Sequence, residues 1–222
     1  QTCALPISTV ELVDNSRTFD DVAENSWYSD AVAFVSGHEL FSGTSETAFA
    51  PDESMTRGML AQVLHNLESN PGADVSASFH DVDSSDWYAQ AVDWAASEGI
   101  VSGYGDGSFG ADDSITREQL AVMLYRYLGL DESQYASVTL PFADHSKIAD
   151  YALPAIKALY TEGIINGTTG SDGKLYFNPN SSLTRAQAAT MIGRTQEKGY
   201  ATAELTFSDA ASIPAYATYY IQ

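Results

Sequence analysis

Leu60, Val63, Leu64 and Leu67 stand at i, i+3, i+4 and i+7, and the spacing returns at Leu120, Met123, Leu124 and Tyr127 and, shortened, at Ala188, Met191 and Ile192. A stripe of this period predicts an amphipathic helix with one face to bury. Ahead of each lies a shorter apolar stretch. In the second case Trp87, Ala91, Trp94 and Ala95 keep the helical period, which predicts a first helix carrying Trp87 on a core or groove-edge stripe. Gly99 stands where a left-handed C-terminal cap is wanted. Glu39 occupies the matching place in the first case, so that helix is expected to end differently, while Pro154 falls where the first turn of a third helix tolerates it.

The pattern is an internal repeat. FDDVAENSWYSDAV begins at Phe19, FHDVDSSDWYAQAV at Phe79 and FADHSKIADYALPAI at Phe142, offsets of 60 and 63 residues. Each copy runs through a glycine (Gly43, Gly103, Gly167), a loop phenylalanine (Phe49, Phe109, Phe177) and the triplet MTR, ITR or LTR before its second helix. Thr56, Thr116 and Thr184 are placed as N-caps. Gln119 and Gln187 complete a capping box, whereas Met59 cannot.

The boundaries follow: a tail over 1–18, repeats with their linkers over 19–78, 79–141 and 142–199, and over 200–222 the start of a truncated fourth repeat, marked by Phe207. The linkers SNPGADVSAS and LDESQYASVTLP are polar and turn-rich. One helical hairpin of this size cannot bury its stripe alone, so the copies are expected to pack into a single all-α domain of helix-loop-helix repeats with pseudo-threefold symmetry.

Charge narrows the partners. Against 30 Asp and Glu the chain has 10 Lys and Arg, a net charge of -20, so nucleic acid and anionic membrane surfaces are unfavourable partners. No apolar run reaches the ~20 residues of a membrane span. A lone cysteine, Cys3, excludes an intrachain disulfide and a Cys-built metal site. Twelve residues counted from Asp106 end on Arg117, not on a bidentate Glu, which rejects an EF-hand. His38, His65, His80 and His145 occupy unrelated places in their copies, and no zinc-protease or nucleophile-elbow motif occurs. No catalytic residue, metal or cofactor is expected.

Arg57, Arg117 and Arg185 are the residues that local folding leaves unexplained. Each is the first residue of its helix, at the positive end of the macrodipole, where a cation costs about 0.3–1 kcal/mol. Several readings stand: the arginine joins free helix N–H groups in an anion site, it pairs with a nearby acid such as the Asp of FDD, FHD or FAD, or it packs its stem over the core, and shared ancestry of the copies would also keep the pattern.

Taken together, F-x-D-V, W-Y, A-V, G-I-V-x-G, G-Y-x-D-G-S-F and I-T-R-E-Q-L-A, as they run from Phe79 to Ala121, resemble the S-layer homology repeat. The likeness covers residues 19 to about 198 and continues into the truncated copy. It implies a three-pronged domain around a central helical bundle that anchors extracellular proteins to the cell wall by binding a secondary wall polysaccharide, often pyruvylated. It also implies that Arg57, Arg117 and Arg185 meet the glycan carboxylate. The family's T-R-A-E signature becomes TRGM, TREQ and TRAQ here, losing the Glu each time.

Only the second loop, with Gly103, Asp106 and Gly107, keeps close to the family pattern, so the groove using it is the leading candidate. Trp27, Trp87 and Tyr151 share one equivalent position and would stack on sugar rings or pack into the core. Asp21, Asp81 and Asp144 would accept sugar hydroxyls or cap a helix. Arg117→Ala is expected to weaken glycan binding more than Arg126→Ala. Two other classes of function remain open at this stage: a self-association or protein-binding module, and a fragment of a wall hydrolase.

Overall fold

The computed structural model describes residues 17–73 and 79–199; residues 1–16 of the tail and the fourth repeat start lie outside them. The described residues form six α-helices: α1 Ser29–Gly37, α2 Arg57–Leu67, α3 Ala89–Ser97, α4 Arg117–Tyr127, α5 Leu153–Thr161 and α6 Arg185–Gly199. A two-residue hairpin, β1 Thr168–Thr169 with β2 Leu175–Tyr176, takes up the extra length of the third loop. The fold is all-α in three helix-loop-helix copies.

The helices pair between copies rather than within them: α2 packs on α3, α4 on α5, and α6 returns to α1. A short hairpin has no neighbour of its own for its stripe, so each copy buries its second helix against the first helix of the next. The ring closes on a triangle of backbone bonds. Met55 N–H donates to the Leu183 carbonyl (2.8 Å), Leu183 to Ile115 (3.0 Å) and Ile115 to Met55 (2.9 Å). All three side chains are fully buried on the pseudo-threefold axis.

Each prong holds a phenylalanine pair, Phe19–Phe49, Phe79–Phe109 and Phe142–Phe177, with centroids 5.5, 5.5 and 5.4 Å apart. Burying one such ring stabilises by roughly 1.5–3 kcal/mol. The pair fits only because the loop starts with glycine. A Cβ on Gly43, Gly103 or Gly167 would sit 2.7, 2.6 or 2.8 Å from Cε1 of Phe19, Phe79 or Phe142.

Two expectations are corrected. The first helix of repeat one ends as the others do: Glu39 takes φ 58°, beside 70° for Gly99 and Gly163. The next N–H closes the same bond, Leu40 to Val35 (2.8 Å) as Ile100 to Ala95 (2.8 Å). Packing of the following Leu40 and Phe41 forces the left-handed turn on a residue that resists it by about 1–2 kcal/mol. Glu39→Gly is therefore expected to stabilise the domain by about 0.5–1 kcal/mol, allowing for the entropy of glycine in the unfolded chain. Thermal melting should show a rise of about 1–4 °C.

The second correction concerns only the core placement of the tryptophans and Tyr151. Trp27, Trp87 and Tyr151 are 66, 62 and 58% exposed, because α1 and α3 begin two residues after each tryptophan and α5 two after the tyrosine. In α3 the stripe begins on Tyr88, buried beside Ala91, Trp94 and Ala95.

Candidate functional site

Thr56, Thr116 and Thr184 cap as expected, accepting from Met59, Gln119 and Gln187 N–H at 3.2, 3.3 and 3.3 Å. Gln119 and Gln187 return the bond to the threonine N–H (3.0 and 3.2 Å). The first two helical N–H groups are not free, however. Those of Arg57 and Gly58 donate to Asp113 and Ala111, those of Arg117 and Glu118 to Ser181 and Pro179, and those of Arg185 and Ala186 to Glu53 and Pro51. The helix starts are sewn to the next copy's loop, which removes them as anion donors.

The arginines cross the same seam. Arg57 Nε donates to the Phe109 carbonyl (2.9 Å), Arg117 Nε to Phe177 (2.7 Å) and Arg185 Nε to Phe49 (2.9 Å). Nη2 of Arg117 and of Arg185 adds a bond to Asn166 (2.9 Å) and Ser42 (2.7 Å). Each guanidinium lies over the phenylalanine whose carbonyl it holds, 4.8, 5.0 and 4.7 Å from the ring centroid. Tyr104 supplies Arg57 with a second face at 4.7 Å. Folding thus does use the arginines, and the acid pairing is overturned: among the described residues none of the three has a carboxylate oxygen within 4.0 Å. Desolvation draws all three below the ordinary arginine pKa. The sites hold a cation at a cost, and the carboxylates that act on it (Asp113 and Asp81 on Arg57, Asp144 on Arg117, Glu53 and Asp21 on Arg185) do so from beyond contact distance.

Two grooves open beside these arginines. One, of about 400 Å³, is walled by Arg57, the Val101–Tyr104 loop, Gln119 and Arg126 of α4, and Tyr151. The other, of about 360 Å³, repeats the plan with Arg117, the 166–168 loop, Gln187 and Arg194 of α6, and Trp27. Each draws on all three copies: the arginine of one, the loop and second helix of the next, the aromatic of the one after. In a chain with 30 acidic residues, no Asp or Glu lines either groove. Arg185 and Trp87 hold the matching places at the third position. Arg126, the intended control for Arg117, shares a groove with Arg57 and is no control.

The acids near the grooves face other partners. Asp21, Asp81 and Asp144, expected as helix caps, each accept two loop N–H bonds: from Phe49 and Ala50, from Phe109 and Gly110, and from Phe177 and Asn178, all at 2.7–2.8 Å. Helices α1 and α3 have no side-chain cap; the carboxylates instead fix the loop that carries the arginine's carbonyl. Asp106 accepts from Ser108 N–H and Oγ (2.9 and 2.6 Å), and Gly107 holds φ 92° beside His80; neither lines a groove, whereas Gly103 does.

For Asp21 and Asp81 desolvation opposes ionisation, but the backbone donors outweigh it and hold both carboxyls below the usual range. A depressed folded value gives stability that is complete above the unfolded pKa of about 3.9 and is lost as pH falls through the folded value. Urea melts should weaken below about pH 4, and less steeply in the Asp21→Asn/Asp81→Asn double variant.

Sequence reasoning missed Glu118. It is buried at the second position of α4, where its carboxylate accepts from Ala149 N–H (3.1 Å) and Tyr151 Oη (3.1 Å). Burial, then the adjacent charge and the bond to it, push the Tyr151 phenol up to about 12. Tyr151 is thereby held protonated at the groove edge. The signal was a compensating pair: Gly58 faces the ring of Tyr88, whereas Glu118 faces the copy in which Ala152 replaces that tyrosine.

The sequence profile of the S-layer homology domain matches residues 18–58, 78–121 and 141–189. An amylopullulanase of Thermoanaerobacterium thermosulfurigenes is 30% identical over 82% of the chain and 10% of its own length. A cellulosome-anchoring protein of Acetivibrio thermocellus is 31% identical over 68% of the chain and 34% of its own. The surface-layer 125 kDa protein of Lysinibacillus sphaericus is 28% identical over 90% of the chain and 17% of its own. The chain spans between a tenth and a third of these relatives.

Proposed function

Because the chain belongs to the S-layer homology family, and is with it an anchoring module of the cell surface rather than an enzyme, we propose that its partner is an anionic wall polysaccharide held in the inter-repeat grooves. The observation that carries this is the charge segregation: four of the six arginines line two grooves that no acidic residue lines. A free anion in bulk is repelled by a chain of net charge -20, so binding depends on short-range contacts inside a groove.

The guanidinium groups suit a carboxylate such as a pyruvate ketal, since a planar fork meets two oxygens at once. Exposed Trp27 and Tyr151 at the groove edges offer faces on which a pyranose ring stacks. Within a longer protein such a module would tether whatever domains accompany it.

Depletion from solution by isolated wall sacculi tests this. Saturable uptake that falls with rising salt, beside unchanged light scattering as the protein is concentrated, is the expected result. Concentration-dependent scattering without uptake would favour self-association instead.

A further inference from the structure

The grooves are not equivalent in charge, and the difference lies at one position. Nine residues after the three seam arginines stand Asn66, Arg126 and Arg194. Arg126 and Arg194 line the two grooves already described, opposite Arg57 and Arg117 respectively. By the same plan a third groove would use Arg185 and the second helix of the first copy, where Asn66 takes the place. Asn66 Nδ2 donates to the Leu40 carbonyl (3.1 Å) as Arg126 Nη1 does to the matching Ile100 carbonyl (3.3 Å). The same anchor is thus kept with and without a charge.

Folding does not require the second arginine, because Asn66 makes the equivalent bond. The carboxylates near Arg57, and Glu68 and Glu98 in a further pocket beside Arg126, make no ion pair with either arginine within 4.0 Å. Asp113 accepts from Tyr104 Oη (3.0 Å), Asp81 from two loop N–H groups and Glu118 from Tyr151 and Ala149. Beside Arg117, Asp144 is occupied in the same way. Two like charges facing one groove repel, and anionic groups bound beside them relieve the repulsion.

We infer that Arg126 and Arg194 are specificity-determining residues: their grooves take a saccharide segment bearing two anionic groups, and the Arg185 groove takes a segment bearing one. This rests on the anionic-glycan reading above. The seam arginine holds one group and is part of the fold, whereas the second arginine is dispensable to the fold and sets how many charges the ligand must carry.

The probe is acidic polysaccharide extracted from Gram-positive walls, titrated into the full chain at several salt concentrations. Arg126→Asn and Arg194→Asn copy what the first repeat already carries, so both should melt as the wild type does. Each should weaken binding about tenfold, the loss of one charge-assisted contact, and flatten the salt dependence. In the Arg126→Asn/Arg194→Asn background, Asn66→Arg should restore about tenfold.

Lys157→Asn, which removes one positive charge from a helix face outside the grooves, should change affinity less than twofold. Equal losses from Arg126→Asn and Lys157→Asn, or no gain from Asn66→Arg, would overturn the inference while leaving the glycan reading in place. Absence of binding by the wild-type chain would overturn both.

Discussion

Gly103→Ala is expected to destabilise the domain by about 3 kcal/mol or more, the largest loss from adding a single methyl group. Two costs fall together. The residue sits at φ 67°, where a Cβ costs about 1–2 kcal/mol, and that Cβ would lie 2.5 Å from the Ser108 carbonyl and 2.6 Å from the Phe79 ring. The Ser108 carbonyl is backbone, and Phe79, though half-buried, packs against the fully buried Phe109; overpacking of this kind costs about 1–3 kcal/mol. Urea titration measures it directly. Gly43→Ala and Gly167→Ala should also destabilise, but through packing alone, because neither has a positive φ. A Gly103→Ala loss of less than 1 kcal/mol would mean that the phenylalanine pair does not fix the loop.

Arg117→Ala is expected to lower affinity for acidic wall polysaccharide more than tenfold, and to cost stability as well. The substitution strips the partly buried Phe177 carbonyl of its donor, about 1 kcal/mol, and leaves the exposed Asn166 carbonyl to water. Arg117→Lys separates the two effects. Lysine keeps a cation in the groove but has neither the Nε bond nor the planar fork, so most of the stability loss should remain while binding falls less than in the alanine variant. Calorimetric titration at a temperature well below the melting point of both variants gives the comparison. Equal affinities for Arg117→Ala and wild type would reduce the arginines to seam residues.

What could be read from sequence was what the chain does within a few residues. The threonine caps, the glutamine return bonds and the second-helix stripes depend on neighbours three to seven residues away, and each was found where expected. The arginine contacts were not legible for the opposite reason. Their acceptors lie 52, 60 and 136 residues away, and the last closes the ring from the third copy to the first. The exposure of Trp27 and Trp87 was misjudged by one step of phase, because the helical period was extended into a turn that precedes the helix. Asp21, Asp81 and Asp144 were assigned to the nearest helix start, although the N–H groups they accept from lie in a loop about thirty residues on.

Comparison among the copies was the most informative reading. Differences at one equivalent place, Gly58 against Glu118 or Asn66 against Arg126, separated residues that the fold demands from residues that give each groove its own chemistry. Glu39 showed the reverse case, a residue forced into a glycine conformation by a packing scheme shared with its copies.

Chemical reduction of the polysaccharide's carboxylates to alcohols tests the central claim most directly, because it leaves chain length and sugar rings in place and removes the charge. Titrated side by side into the wild-type chain, the native polymer should bind with strong salt dependence, and the reduced polymer should bind at least tenfold more weakly with little salt dependence. Equal binding of the two polymers would contradict recognition through the groove arginines.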